Sequence, residues 1–354
     1  MDRDEKRALA LLGSTHFLVD LVCTALLGAL AGRLPYSQVI LCAIGYNGLA
    51  FAFQLPIGIL ADLRKYSRSL AGIGCLLIAA AVFFDAPLPI CLLAGLGNAC
   101  FHVGGGREAL GRGRGNASFV GRFVAPGAIG IFLGPKLASF FRFLPAALLI
   151  PAAAFLFSRK KYCERPSPSA NPLPAGHLVI ILLSMFLTVL LRSYMGTVLR
   201  YPLFSAFGWG LGFTFCVFFG KYFGGILSDR FGMLRFSIAA QLGSAALLSL
   251  SFFQPVLALP GIFLFNTSMA VTVTALHRCL PELPGTMFGL TTFALFLGVL
   301  PRLLGWENRF FTWWGLLILG LLSALLLLMG LILCKGGGPI AEITGPVSGA
   351  DADS

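Results

Sequence analysis

The residues of this chain with the most chemical leverage lie inside apolar sequence. Asp20 sits in the run that begins at Ala8, and His16 precedes it by four residues. In a helix that spacing stacks the two on one face, and a rise of about 1.5 Å per residue sets Asp20 roughly 18 Å beyond Ala8. Burial and a neighbouring cation push a carboxylate's protonation in opposite senses. A group held between them can load and release a proton; the alternative is a structural Asp–Arg or Asp–Lys pair that fixes helix packing. His102, in the glycine-rich stretch Gly97 to Arg107, either shares that proton or is a satisfied packing group. Asp20, His16 and His102 are therefore the candidates for proton handling. Arg192 and Lys221 interrupt later apolar runs and would pair with Asp20 or bind an anionic substrate. Asn47, Gln54, Asn98, Tyr194 and Asn266 are neutral candidates for substrate contact, with hydrogen bonding between helices as the alternative. No catalytic constellation stands out. His102, Arg107 and Glu108 form the one cluster near a loop end, and no metal-ligand spacing occurs. Gly104-Gly105-Gly106 is neither preceded by a strand pattern nor followed by Lys-Ser/Thr, so it is not a phosphate loop. Neither a cofactor nor a metal is expected, and the chain is not read as an enzyme.

The elements that must position these groups follow from composition. The chain is 57% hydrophobic and 11% charged, with mean hydropathy +0.88, where a soluble domain carries about a quarter charged residues. Most of its surface must face lipid. The net charge of +12 would suit nucleic acid, but the Lys and Arg residues fall in short gaps between apolar runs, so no nucleic-acid partner is expected. Nine cysteines are scattered with no Cys-x-x-Cys and read as small apolar residues rather than a disulfide framework. Ala29-Leu30-Ala31 mimics a cleavage site, but the run before it exceeds the roughly 7–15 residues of a signal-peptide core.

Twelve spans are expected, near 8–31, 37–60, 69–85, 87–106, 117–140, 143–158, 177–199, 207–228, 236–253, 256–276, 285–304 and 310–334. The runs are continuous rather than alternating, which specifies helices and not a β-barrel. The fold class is all-α integral membrane, with two pseudo-symmetric six-helix bundles at 1–158 and 177–334, a basic, Pro-rich cytoplasmic linker at 159–176 and a disordered tail at 335–354. Lys and Arg concentrate at the loop ends shared with both termini. Only Arg33, Arg142, Arg200, Arg302 and Arg309 fall at the other ends, so both termini are expected in the cytoplasm.

The halves repeat. Pro56-Ile-Gly-Ile-Leu-Ala-Asp62 recurs as Phe223-Gly-Gly-Ile-Leu-Ser-Asp229, an offset of 167 residues. Gly134-Pro135-Lys136 matches Leu300-Pro301-Arg302, and Asn98 matches Asn266, at offsets of 166 and 168. Inverted or parallel repeats around a central site are a common transporter plan.

Gly225-Ile-Leu-Ser-Asp229-Arg230-Phe-Gly232-Met-Leu-Arg235 resembles the loop motif of the major facilitator superfamily. The first copy departs from it, with Leu63 for the Arg and Lys65 for the Gly. The resemblance implies that Asp62 and Asp229, with Gly58, Gly225, Arg230 and Arg235, serve the cytoplasmic gate. Physically, an aspartate can meet the positive end of a neighbouring helix. The second copy is expected to be the more conventional latch. His16-Phe-Leu-Val-Asp20, Gln54-Leu-Pro56-Ile-Gly58, Gly97 to Arg107 and Gly130-Ile-Phe-Leu-Gly134-Pro135 resemble the fosmidomycin-resistance-like efflux group. Val19, Val103 and Gly104 depart from that group, which shows Asn, Pro and Glu there.

The resemblance implies a monomeric, proton-coupled antiporter in a bacterial inner membrane that exports a small compound by alternating access. The excess of cations within the spans favours a polar or anionic substrate. A metabolite uptake permease is the alternative within the same class. A non-transporting sensor or scaffold and a membrane-embedded enzyme are the alternatives outside it. The expected partners are a small-molecule substrate, protons and the lipid bilayer.

Overall fold

The computed structural model describes residues 3–64, 68–137, 143–158, 173–199, 201–306 and 310–335. Twelve helices carry the described chain, and ten of them are long and apolar enough to cross a membrane. They are α1 Arg3–Ala31, α2 Tyr36–Arg64, α3 Arg68–Ala81, α4 Pro87–Gly113, α5 Ala117–Leu137, α6 Phe143–Ser158, α7 Ala175–Val198, α8 Phe207–Phe231, α9 Met233–Leu250, α10 Pro255–Cys279, α11 Pro284–Leu303 and α12 Trp313–Lys335. Each expected span has its helix, and no strand occurs among the described residues. The two shorter helices are α3 and α6, of 14 and 16 residues. The expected linker lies outside the described residues over 159–172, and so does the expected tail over 336–354.

The outer surface is apolar. Leu183, Phe223, Leu325 and Ile332 are 40–60% exposed, as expected where lipid rather than water is the solvent. Polar groups turn inward instead: Gln54, Thr188, Gln241, Ser244 and Thr272 are fully buried. Helices α1 and α3–α6 pack on one another, and α7, α9, α10 and α12 do the same, with α8 against α10 and α11 against α7. The two groups meet through α5 against α8 and α2 against α11.

Three helices are irregular where they matter. A π-helical turn, Gly48–Ala52, interrupts α2 just before Gln54-Leu-Pro56; such turns recur at functional sites. Pro126 and Pro135 lie inside α5, each removing one helical hydrogen bond. Helix α10 breaks at Thr267, between Ala258–Asn266 and Ser268–Cys279.

Helix α1 packs tightly on α5, and glycine makes it possible. A methyl group at Gly130 would lie 2.4 Å from the Phe17 carbonyl oxygen, and one at Gly134 would lie 2.5 Å from that of Leu21. Small residues at such a contact are the usual device for tight packing in lipid. The glycine stripe Gly127, Gly130, Gly134 therefore has the packing role its spacing suggests.

Candidate functional site

The α1–α5 contact places Asp20 and His16 against α4. His16 and Asp20 form an i,i+4 pair with Nε2 to Oδ2 at 3.2 Å. His102 comes from α4, its Nε2 2.9 Å from His16 Nε2 and 3.8 Å from Asp20 Oδ1. Asn98, one turn from His102, donates to Asp20 Oδ1 at 3.2 Å. All four side chains are buried, at 1–7% exposure.

The hydrogen bonds fix the protons. His16 Nδ1 meets the Phe123 carbonyl at 2.8 Å, and His102 Nδ1 meets the Asn98 carbonyl at 2.9 Å. A carbonyl only accepts, so both Nδ1 atoms carry hydrogen. Neutral imidazoles would then present two bare Nε2 lone pairs to each other at 2.9 Å, which repels. A proton bound between them would turn the repulsion into a hydrogen bond. The pair would then be a shared imidazolium beside a carboxylate, a charge-assisted arrangement.

By composition His16, Asp20 and His102 could also hold a metal ion, since their ligand atoms lie within 4.8 Å of one another. Two imidazoles on tetrahedral zinc, at about 2.0–2.1 Å each, keep their nitrogens roughly 3.3 Å apart. The observed spacing is that of a hydrogen bond, and the residues fit a proton better.

Gly127 makes room for the cluster. A methyl group there would stand 2.3 Å from Asp20 Oδ2 and 2.5 Å from His16 Nε2. Gly127→Ala is expected to force the His–Asp contact apart, costing about 1–3 kcal/mol in strain. The check is the melting temperature of the variant; a wild-type value would refute the packing.

A second feature lies between the bundles. A small cavity is lined by Val124 of α5, Arg192 of α7, Thr272 of α10, and Phe288, Thr291 and Thr292 of α11, among others. Arg192 is 7% exposed and donates a long hydrogen bond of 3.4 Å to Ser268 Oγ, just beyond the α10 break. No carboxylate pairs with it among the described residues. Lys221, half-buried on α8, lies within electrostatic reach of both Asp20 and Arg192. Helix α5 joins the two features: the Phe123 carbonyl holds His16, while the Phe123 ring packs 6.2 Å from Phe288 at the cavity.

The other sequence candidates fall into place differently. Asn98 belongs to the Asp20 cluster rather than the cavity. Asn47, Gln54 and Asn266 each donate to the carbonyl four residues back in their own helix. Tyr194 packs edge-on against Phe310. The threonines at the cavity were not among the candidates, because a hydroxyl in an apolar run carries no periodic or charge signal.

The two motif aspartates each cap a helix of the opposite group. Asp62 accepts from Gly285 N, Thr286 N and Thr286 Oγ1 at 2.7–2.9 Å, at the start of α11. Asp229 accepts from Ala117 N and Ser118 N at 2.8 and 2.9 Å, at the start of α5. Ala117 and Gly285 are 168 residues apart, as are Ser118 and Thr286, so the contacts obey the sequence repeat. Each carboxylate meets the free amides and positive end of a helix. Gly58 and Gly225 allow the backbones to meet: added methyls would lie 2.2 Å from the Gly285 carbonyl oxygen and 2.4 Å from that of Ala117. Asp62 is also paired with Arg107, Nε to Oδ1 at 3.2 Å. The copy with the eroded motif thus makes more contacts than the copy that keeps it, because its helix start offers a threonine hydroxyl and α4 an arginine. Arg230 lies exposed over the Phe231 ring, and Arg235 is exposed; neither joins these capping contacts. Arg278 reinforces it by donating twice to the Gly115 carbonyl, at 2.5 and 2.8 Å.

No protein-family model matches the chain, and no curated protein matches it by sequence. Solved structures do. The E. coli fucose:proton symporter superposes with a TM-score of 0.64 at 15% identity, over 94% of this chain and 99% of that one. A second structure of that transporter, in the outward conformation, gives 0.60 at 15% identity over 92% and 98%. The human organic anion transporter MFSD10 gives 0.60 at 15% identity over 94% and 100%. These neighbours are transporters and not enzymes. The chain has the twelve-helix fold of the major facilitator superfamily transporters.

Proposed function

We propose that this chain is a secondary active transporter that couples protons to the movement of a small polar or anionic compound. Residues 1–158 and 177–334 are the two bundles, and they rock about the Arg192 cavity so that it opens to one side at a time. The observation that carries the reading is the 2.9 Å contact between His16 Nε2 and His102 Nε2 against Asp20, buried beside two cations that form no ion pair with any other carboxylate among the described residues. Ionisable groups at membrane depth are expensive and mark transport pathways and proton relays. In this reading Asp62 and Asp229, with Gly58 and Gly225, close the basic end, which faces the cytoplasm of a bacterial inner membrane, and the chain acts as a monomer.

Efflux in exchange for protons rests on the resemblance of the first half to the fosmidomycin-resistance-like group. Uptake is the second reading, favoured by the surplus of positive charge around the cavity. MFSD10 is described as an organic anion transporter, and that neighbour supports an anionic cargo.

The test is a panel of labelled organic anions, sugars and cations offered to proteoliposomes under an imposed pH gradient. Flux of an anion that follows the gradient is expected. Arg192→Gln should weaken the apparent affinity for it by about 30-fold or more, since losing one partner of a buried charge pair costs roughly 2–5 kcal/mol. Gradient-driven flux confined to cations would sink the reading.

A further inference from the structure

The charges around the cavity predict the sense of the coupling. The titratable groups that face Asp20 are His16 and Cys23 on α1, Tyr46 on α2, His102 on α4 and, from the second bundle, Lys221 on α8. Helix α5 faces it with glycines and the Phe123 carbonyl. Beyond Lys221 stands Arg192. With the bridging proton absent, the Asp20 carboxylate offsets one of the two cations. With the proton present, the imidazolium neutralises Asp20, and both Lys221 and Arg192 are left uncompensated.

We infer that proton and anion bind together: loading the His16–Asp20–His102 cluster raises the affinity of the Arg192 cavity for a small organic monoanion, so the coupling is cotransport rather than exchange. The inference rests on the reading of the cavity as an anion site. Two uncompensated cations in a low-dielectric interior are strongly unfavourable, and an anion relieves them. Linkage is reciprocal, so the anion holds the proton by the same factor with which the proton holds the anion. An exchanger needs the opposite sign, one ligand expelling the other.

The lining narrows the chemical class. The Thr272 hydroxyl donates to the Met269 carbonyl, Thr291 to that of Phe288, and Thr292 to that of Gly289, at 2.7–2.9 Å. Their hydrogens are used, so toward a ligand these oxygens act as acceptors. The rest of the lining is apolar, Val120, Val124, Val189 and Phe288 among it. At about 20 Å³ the cavity as it stands holds no more than a water; once opened, its lining would take one anionic head on Arg192, an apolar body and a hydroxyl that donates to a threonine. An aromatic hydroxy acid has those parts.

The experiment is calorimetric titration of the purified full-length protein in nanodiscs with mandelate, benzoate and, as a cationic control, tetraphenylphosphonium. Titrations at about pH 6 and about pH 8 span the range over which histidine changes charge, and both anions are fully ionised there. Mandelate is expected to bind about tenfold or more tightly at the lower pH, within the usual range of coupling between sites. Runs in two buffers of different ionisation enthalpy should register proton uptake on binding. Asp20→Asn should bind mandelate with the tight affinity at both pH values, and Asp20→Glu should restore the pH dependence if the amide variant fails to fold. Equal affinity at both pH values, or proton release on binding, overturns cotransport while leaving the anion site standing. Binding of tetraphenylphosphonium alone, of none of the three, or of mandelate as well by Arg192→Gln as by the native chain overturns the anion site itself.

Discussion

Replacing Asp20 with asparagine is expected to disconnect transport from the proton gradient. One pH unit is worth about 1.4 kcal/mol per proton, or tenfold in concentration. Native protein under a gradient of about one unit should therefore accumulate its substrate up to roughly tenfold through one coupled proton, and the Asp20→Asn protein should accumulate none. The physical reason is the arrangement around the carboxylate. It accepts from Asn98, pairs with His16 and would balance an imidazolium shared by His16 and His102. An amide keeps the shape but not the charge, so the histidine pair loses the anion that makes its proton favourable. Exchange of labelled for unlabelled substrate across the membrane, with no gradient imposed, should persist in the variant. That persistence separates uncoupling from misfolding. Gradient-driven accumulation at the native level in Asp20→Asn would remove this cluster from the coupling mechanism.

Opening of the basic end is the second large effect. Removing an N-cap aspartate costs about 1–2 kcal/mol, which moves a two-state population roughly 5–30-fold. Asp229→Ala removes two amide hydrogen bonds to the start of α5. Asp62→Ala removes three hydrogen bonds to the start of α11 and an ion pair to the buried Arg107. The Asp62 variant should therefore shift the population further, and the double variant furthest, because the contacts lie on separate helix starts and add. Distances between spin labels placed across the basic end, one in each half, report the shift. An unchanged distance distribution in the double variant would mean that the glycine contacts and Arg278 hold this end closed without the aspartates.

The sequence displays these two capping contacts unequally. The second motif copy keeps its Arg230 and Gly232, and pattern alone ranks it as the stronger. In the fold, Arg230 lies exposed and contributes nothing to the contact, while Leu63, which replaces it in the first copy, is exposed as well. What strengthens the first contact is Thr286 and Arg107, which lie 224 and 45 residues from Asp62. Local sequence carries no trace of either partner.

Much of the architecture is fixed by local chemistry. A chain with so few charges and such long apolar runs has to satisfy its backbone internally, and helices are the solution its continuous runs specify. The span boundaries follow from the same runs, and the repeat follows from Asp62 and Asp229 at their offset. His16 and Asp20 are neighbours by helical periodicity, so their pairing is also local. The third member, His102, stands among glycines in a span that could have turned it to any side. Only the packing of α1 on α4 and α5, at a distance that Gly127 and Gly130 permit, sets its Nε2 against His16. Likewise the sequence marks Arg192 as costly in lipid, but not what it faces. The break in α10 and the approach of α5 to α11 decide that, among the described residues, it meets hydroxyls and apolar side chains rather than a carboxylate. Hydrophobic pattern and charge are properties of a residue and its near neighbours, so sequence fixes spans, repeat and candidate ions. The His16–His102 contact and the charge left on a cavity depend on groups tens to hundreds of residues apart, and tertiary packing alone brings those together.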